Sequence, residues 1–449
     1  MKNNELIYQL HDTPPHSQTL LAAGQHILAS FVGLITPTLI IGSVLGLHEQ
    51  ISYLISMALV VNGVATFIQA RPIGPVGSGL IVLQGTSFAF LGAVLSAGLI
   101  VKNRGGGPDE ILAIIFGICF VGSFIKIALS QILDKIKRII SPVVTGCVIT
   151  LIGLSLIEVG IDYLAGGKGA EDYGSLNNIL LGASVFALII LLNSMRNEVL
   201  RSAALMIGLI VGSFCAFAFG LDSFEWTAPE DVVAIPIPFK YGFSFDWAAF
   251  IPIALIYVLS VIEMTGDLTA TNMVSGQPVK GDQYFKRIKG GVLAGGVNAG
   301  LAAIFNSFPN SSFSQNNGVI VFTGNASNKV GMAVGGLLVL LGLFPALGAV
   351  LQEIPKPVLG GATLLLFGTV AVAGISILSS IDMNRRNSLI VAASLSIGLG
   401  TAMVPEVFES LPDMIESVFG SAVSAGGVTA IVLTLLIPEV VSEDEVDGG

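Results

Sequence analysis

Ser314-Gln315-Asn316-Asn317-Gly318-Val319-Ile320-Val321-Phe322-Thr323-Gly324 sets three adjacent side-chain amides beside a glycine, between strongly apolar segments. In hydrocarbon such groups are costly unless paired or facing water. Non-helical backbone is tolerated at that depth only where protein buries it or where it lines a cavity. The stretch therefore reads as a candidate binding site within a membrane. An extramembrane loop between two spans is the alternative from these residues alone.

Outward from this stretch, the 449-residue chain is 53% apolar and 11% charged, with a mean hydropathy of +0.85. Average proteins are about 25% charged, so a polytopic membrane protein is expected. Much of the net charge of −10 comes from acidic clusters at Asp222–Asp231, Glu406–Glu416 and Glu443–Asp447, and signals neither nucleic acid nor an acidic-binding partner. Cys119, Cys147 and Cys215 lie in apolar runs without metal-ligand spacing, so no metal or cofactor is expected. Residues 1–19 are polar and lack the basic-then-apolar order of a cleavable signal peptide, which makes a segment starting near Leu20 the first retained span.

Apolar runs near the length that crosses a bilayer fall at about 20–47, 51–70, 79–101, 110–133, 138–160, 177–195, 200–220, 247–270, 288–305, 312–326, 330–352, 357–380, 386–404 and 419–438, some fourteen spans. The third, with Gln84-Gly85-Thr86-Ser87 in its middle, and the tenth, which holds the amide stretch, are the least helix-like. Basic residues concentrate in the even-numbered loops: Arg71; Lys135, Lys137 and Arg138; Arg196 and Arg201; Lys280, Lys286, Arg287 and Lys289; Lys329; Arg385 and Arg386. The odd-numbered loops hold Lys102, Arg104, Lys168, Lys240 and Lys356. The bias places the even loops and both termini in the cytoplasm, with a bacterial inner membrane as the expected location.

Pro142-Val143-Val144-Thr145-Gly146 with Gly153, and Pro357-Val358-Leu359-Gly360-Gly361 with Gly368, match at a constant offset of 215 residues. The two copies sit seven spans apart. Seven is odd, so they enter the membrane from opposite sides, the mark of an inverted repeat. The interrupted third and tenth spans are related in the same way. Transporters built from such repeats bind substrate where broken segments from the two halves meet.

The polar residues available there are Gln25 and His26, Gln84 to Ser87, Glu263 and Asp267, and the amide stretch. Glu263 and Asp267 are four apart and share a helix face. A carboxylate beside a pocket can accept two N–H donors of a flat heterocycle, and burial favours its protonated form. His26 and Asp267 have purely structural alternatives, as hydrogen-bonding braces. No lysine or arginine is expected in mid-membrane to neutralise the acids. Neither a nucleophile–base pair nor a metal cage is visible, which argues against an enzyme.

These residues resemble one family. Gln315-Asn316-Asn317-Gly318 through Thr323-Gly324 fits the signature [QEP]-N-x-G-x-x-x-x-T-[RKG] of the nucleobase–ascorbate transporters. Gln25-His26, Gly85-Thr86-Ser87-Phe88-Ala89-Phe90 and Glu263-Met264-Thr265-Gly266-Asp267 are similar to that family's first-, third- and eighth-span elements. The resemblance implies an all-α polytopic fold of about fourteen spans in two inverted seven-span repeats, with short extended pieces in spans three and ten lying antiparallel. It implies a core domain from residues 20–135 and 236–352, and a gate domain from 136–235 and 353–438, between tails 1–19 and 439–449. It implies a homodimer that moves its core against its gate like an elevator.

By the same resemblance, Glu263 is the main ligand of the base and Gln315 the second. Ala89 and Ser314 add backbone contacts, and Phe90 packs on the ring. Asn316 braces the site, Gln25 and His26 support it, and His26 and Asp267 serve proton coupling, with sodium as the alternative ion. The branch it resembles takes up xanthine or uric acid; uracil carriage is the alternative. An anion carrier on a related fold would want a cationic or dipolar site, which Glu263 argues against. Two positions depart from the family pattern. Leu293-Ala294-Gly295-Gly296 stands where many purine carriers have Leu-Ala-Asp-Gly, and Ala89 is small where a bulkier polar residue can occur. The small Ala89 implies a wider pocket that admits uric acid.

Overall fold

The structure, a computed structural model, describes residues 6–133, 141–222, 232–313, 315–408, 418–419 and 421–437. Ser314, the basic group Lys135, Lys137 and Arg138, most of the three acidic clusters and the tail 439–449 lie outside the described residues.

The first half holds α1 (His16–Leu45), α2 (Ile51–Ala70), β1 (Gln84–Thr86), a 3-10 turn (Phe88–Phe90) running into α3 (Leu91–Asn103), α4 (Pro108–Gln131), α5 (Pro142–Leu164), α6 (Leu176–Ser194), α7 (Glu198–Ser202) and α8 (Ala204–Ala218). The second half holds α9 (Trp247–Val274), α10 (Asp282–Ile304), β2 (Asn310–Ser312), α11 (Gln315–Thr323), α12 (Asn328–Gly342), α13 (Pro345–Gln352), α14 (Lys356–Ser379), α15 (Arg385–Met403) and α16 (Ala422–Leu436). Every predicted apolar run contains a helix. Among the described residues, seven helices are long and apolar enough to cross a membrane, or eight if α12 and α13, bent by 77°, count as one. The chain is a multi-pass membrane protein.

Local signals account for the helix ends. Pro108 opens α4 with Asp109 and Glu110 in its first turn, where proline costs no bond and acids meet the positive end of the helix dipole. Ser141 caps α5 by accepting from the Val144 N–H, one residue before Pro142. Gly46, at φ 78°, closes α1 by donating to carbonyls of the last turn.

Three helix pairs pack antiparallel with glycines at their contacts. In α5–α14, Gly153 faces Ala371, Gly146 faces Leu378, Gly374 faces Thr150 and Gly360 faces Leu164. In α2–α12, Gly63 faces Gly335 and Val339, while Gly342 faces Val60. In α4–α10, Gly296 faces Ile127 and Gly300 faces Ser123. Without side chains at these points the backbones come close enough for dispersion contacts, the main attraction between helices in lipid.

Between these pairs the chain leaves the helix twice, and the two pieces find each other. β1 and β2 pair antiparallel with Gln84 opposite Ser312, Gly85 opposite Ser311 and Thr86 opposite Asn310. A Cβ on Gly85 would lie 2.3 Å from the Phe313 ring and 2.5 Å from Leu34, so any larger residue would push these side chains aside. The buried approach to β1 is satisfied by its neighbours. Gln69 on α2 accepts from the Ser78 N–H (3.1 Å) and donates to the Gly291 carbonyl (2.9 Å), and Thr66 accepts from the Gln84 N–H (2.9 Å). This is the provision that non-helical backbone in a membrane requires.

The second extended piece precedes the amide stretch rather than interrupting it. Gln315 to Thr323 form a helix, so the signature opens α11. The N-terminal residues are also tied down. Ile7 donates to the Gly324 carbonyl (2.8 Å), Tyr8 accepts from the Ala326 N–H (2.9 Å), and Leu10 is 1% exposed. Helix α1 begins at His16, four residues ahead of the expected start.

Candidate functional site

A cavity of about 950 Å³ lies beside the β1–β2 pair. One wall comes from α9, β2 and the start of α11: Glu263, Asp267, Ser312, Phe313 and Gln315. The opposite wall comes from α5 and α14, with Thr145, Ile149, Thr369 and Ala373 among its residues. Ser87 and Phe88 close it where the 3-10 turn begins. The lining continues to Pro142 at the start of α5, to Met273 near the end of α9, to Tyr284, and to Ser380 just past α14. The cavity therefore opens toward the end of the molecule that carries the Lys280–Lys289 loop.

Glu263 and Asp267 face the cavity one helical turn apart, as their spacing requires. Their surroundings differ. The Ser312 hydroxyl donates to Asp267 Oδ2 (2.7 Å), binding α9 to β2. One turn further, the Thr271 hydroxyl donates to Asn317 Oδ1 (2.7 Å), binding α9 to α11. Glu263 Oε2 is buried with no hydrogen-bond partner among the described residues. Ser311 Oγ on β2, which also lines the cavity, is likewise unpartnered among the described residues. A buried polar atom left without a partner costs about 1–3 kcal/mol, so Glu263 is the charged group in this wall with an acceptor to offer a ligand.

Gln315, the first residue of α11, also lines the cavity. Both α11 and the 3-10 turn that runs into α3 begin at the cavity, so their positive dipole ends lie toward it. The site thus offers a carboxylate, a neutral amide, two helix starts and the Phe88 and Phe313 rings, whose centroids lie 6.4 Å apart.

The remaining expected residues lie behind this surface. Asn316 is 1% exposed and donates to the Ile81 carbonyl, fastening α11 to the segment before β1. His26 on α1 is fully buried beside the Asn316 side chain, with neither ring nitrogen in a hydrogen bond among the described residues. Gln25 is half-buried next to it and does not line the cavity. Ala89 is buried within the 3-10 turn, and Phe90 packs edge-on against Tyr257, with centroids 4.7 Å apart. Neither lines the cavity; Phe88, two residues earlier, does.

One expectation is overturned. Lys126 on α4 is completely buried, its ammonium has no hydrogen-bond partner among the described residues, and it interacts electrostatically with Glu263 and Asp267. A basic side chain therefore does lie in mid-membrane within electrostatic reach of the acids, without a hydrogen bond to either. The sequence carried the signal: Phe124-Ile125-Lys126-Ile127-Ala128 puts a lone charge inside an apolar run. Its place near the end of the span reads as a lysine reaching for the interface, which its burial excludes.

The permease-family model Xan_ur_permease matches residues 17–407. The chain is 46% identical to xanthine permease XanP of Escherichia coli K12 over 442 residues, covering 97% of this chain and 96% of that one. It is 42% identical to xanthine permease XanQ of the same strain over 439 residues (97% and 94% covered). It is 34% identical to a xanthine permease of Bacillus subtilis 168 over 422 residues (93% of each). Among solved structures, the transmembrane domain of the cyanobacterial bicarbonate transporter BicA superposes with a TM-score of 0.60 at 15% identity, covering 91% of this chain and 99% of that one. The murine anion transporter Slc26a9 in its inward-facing state gives 0.59 at 12% identity (95% and 68% covered). At these identities the two structures establish the fold alone.

Proposed function

Because the chain belongs to the nucleobase–ascorbate transporter family, we propose that it takes up an oxidised purine, xanthine or uric acid, by proton symport and an elevator movement. It is a transporter and not an enzyme. The observation that carries the substrate reading is the unpartnered Glu263 oxygen in a cavity that also holds Gln315 and Phe88. An oxidised purine is flat, presents ring N–H donors on one edge and carries carbonyl oxygens. Glu263 accepts from the N–H groups. The Gln315 amide, both donor and acceptor, matches a mixed edge. The helix starts receive the carbonyl oxygens, and Phe88 covers a ring face. Asp267 carries the coupled proton, with Asn316 and His26 holding α11 in place. Ser314 and Ala89 contribute backbone contacts, and Phe90 acts from the second layer by way of Tyr257.

Several features support the architecture. Exchanging each span with the one seven later turns the α2–α12 pair into the α10–α4 pair and leaves α5–α14 and β1–β2 unchanged. The close antiparallel packing of all four is what an inverted repeat of two seven-span halves entails. The cavity runs between α9, β2 and α11, assigned to the core, and α5 and α14, assigned to the gate, which is the surface an elevator would slide along. Its opening toward the Lys280–Lys289 loop corresponds to an inward-facing state if that loop is cytoplasmic.

The deciding experiment is uptake by proteoliposomes of labelled xanthine, uric acid, uracil and bicarbonate, with and without an inward proton gradient. Gradient-driven accumulation of xanthine or uric acid is expected. Accumulation of uracil alone, or of bicarbonate, refutes the substrate assignment, and a requirement for sodium refutes the proton.

A further inference from the structure

Lys126 has no part in the binding scheme above, yet it is the most costly side chain in the neighbourhood. An ammonium removed from water without a hydrogen bond is retained only where charges compensate it. The ionisable groups that act on it are Glu263 and Asp267, both from α9. From α10, Gly295 faces it.

That glycine leaves room for the lysine stem. A Cβ at 295 would lie 2.9 Å from Lys126 Cε and 2.4 Å from Met264 Sδ. On either side of the lysine, Ser123 faces Gly300 and Ile127 faces Gly296. The glycine strip of α10 thus lets α4 approach closely and leaves room for the lysine stem beside Met264, the residue that follows Glu263 on α9.

We propose that Lys126 is the fixed internal counter-cation of the Glu263–Asp267 pair, a positioning residue that keeps Glu263 ionised and able to accept from the substrate. The inference rests on the transport reading for its substrate and on the buried cluster for its electrostatics. With all three groups ionised the cluster carries one net negative charge. Without the lysine it would carry two at a largely buried site, which favours one carboxylate holding a proton.

The test compares wild type, Lys126→Met and Lys126→Met/Asp267→Asn in detergent. Xanthine binding is measured from pH 5 to 9. In Lys126→Met the acid limb of the binding profile moves to higher pH by about one unit or more, an affinity loss of about tenfold at a pH within the limb. A space-filling role alone would not move the limb. The melting temperature over the same pH range needs no substrate. Lys126→Met loses stability relative to wild type as pH rises and two uncompensated anions form, and the double variant, with one charge of each sign removed, recovers it. Coincident limbs together with no pH-dependent stability loss overturn the proposal, as does a double variant no more stable than Lys126→Met. If Lys126→Met does not fold, the double variant decides: folding supports the counter-cation, and failure to fold overturns it. Wild-type protein that binds no purine sinks the transport reading, while the melting comparison still judges the lysine.

Discussion

Replacing Glu263 by Gln changes one oxygen for an NH₂ and leaves shape nearly constant. A carboxylate meets two ring N–H groups with two acceptors. The amide keeps one acceptor and turns a donor toward the other N–H. One charge-assisted hydrogen bond is lost, about 1.5–3 kcal/mol, and a buried donor is left unsatisfied, a further ~1–3 kcal/mol. The lower ends sum to about 2.5 kcal/mol, and with 1.4 kcal/mol per decade the dissociation constant rises by about 60-fold or more. Glu263 Oε2 has no hydrogen-bond partner among the described residues, and Asp267 remains to balance Lys126, so the variant is expected to fold. Equilibrium binding of labelled xanthine to purified protein reads the loss, and a melting curve checks the fold. A folded variant with unchanged affinity would remove Glu263 from the binding site.

Three other outcomes are expected. Asp267→Asn can still accept from Ser312 at the position of the 2.7 Å bond, so it retains measurable purine binding while losing accumulation driven by a pH gradient; full accumulation in proteoliposomes refutes the coupling role. Gln283→Cys, in the first turn of α10 at the end that the basic residues place in the cytoplasm, is expected to resist an impermeant thiol reagent applied to intact cells, and strong labelling overturns the orientation. Gly85→Val forces atoms into the Phe313 and Leu34 side chains, and overpacking of this kind costs about 1–3 kcal/mol; a melting temperature equal to wild type contradicts the close packing of Phe313 and Leu34 on β1.

The extent of each element was legible where one physical signal dominates. Helix α2 spans Ile51–Ala70 as its apolar run indicates, and polar Gln84 to Thr86 leave the helix where hydrocarbon would not tolerate them unpaired. Gln315 to Thr323 were harder, because amides mark a helix start as readily as a break. Asn316 lends its side chain to the Ile81 carbonyl, a partner 235 residues away that no local pattern announces. Phe88 and Phe90 could not be told apart for a similar reason. The 3-10 turn decides which ring meets the cavity, and its register is set by Ser87 donating its N–H to the Pro309 carbonyl across the strand pair (2.9 Å). Lys126 is hidden within its span because length and mean apolarity define a span, and a single charge barely lowers either.

The pairing of β1 with β2 also bears on how this protein is made. The two strands lie about 225 residues apart in the chain. At a synthesis rate of roughly 5–20 residues per second, β1 leaves the ribosome some 10 to 45 seconds before its partner exists. Throughout that interval the nascent first half has no β2 to occupy the edge of Gln84–Thr86. Either that segment stays outside the hydrocarbon until the second half is inserted, or something in the insertion machinery shelters it. A truncated chain ending near residue 222 would hold that waiting state still, and the accessibility of position 85 to a water-soluble probe would show where the cell keeps an unpaired strand.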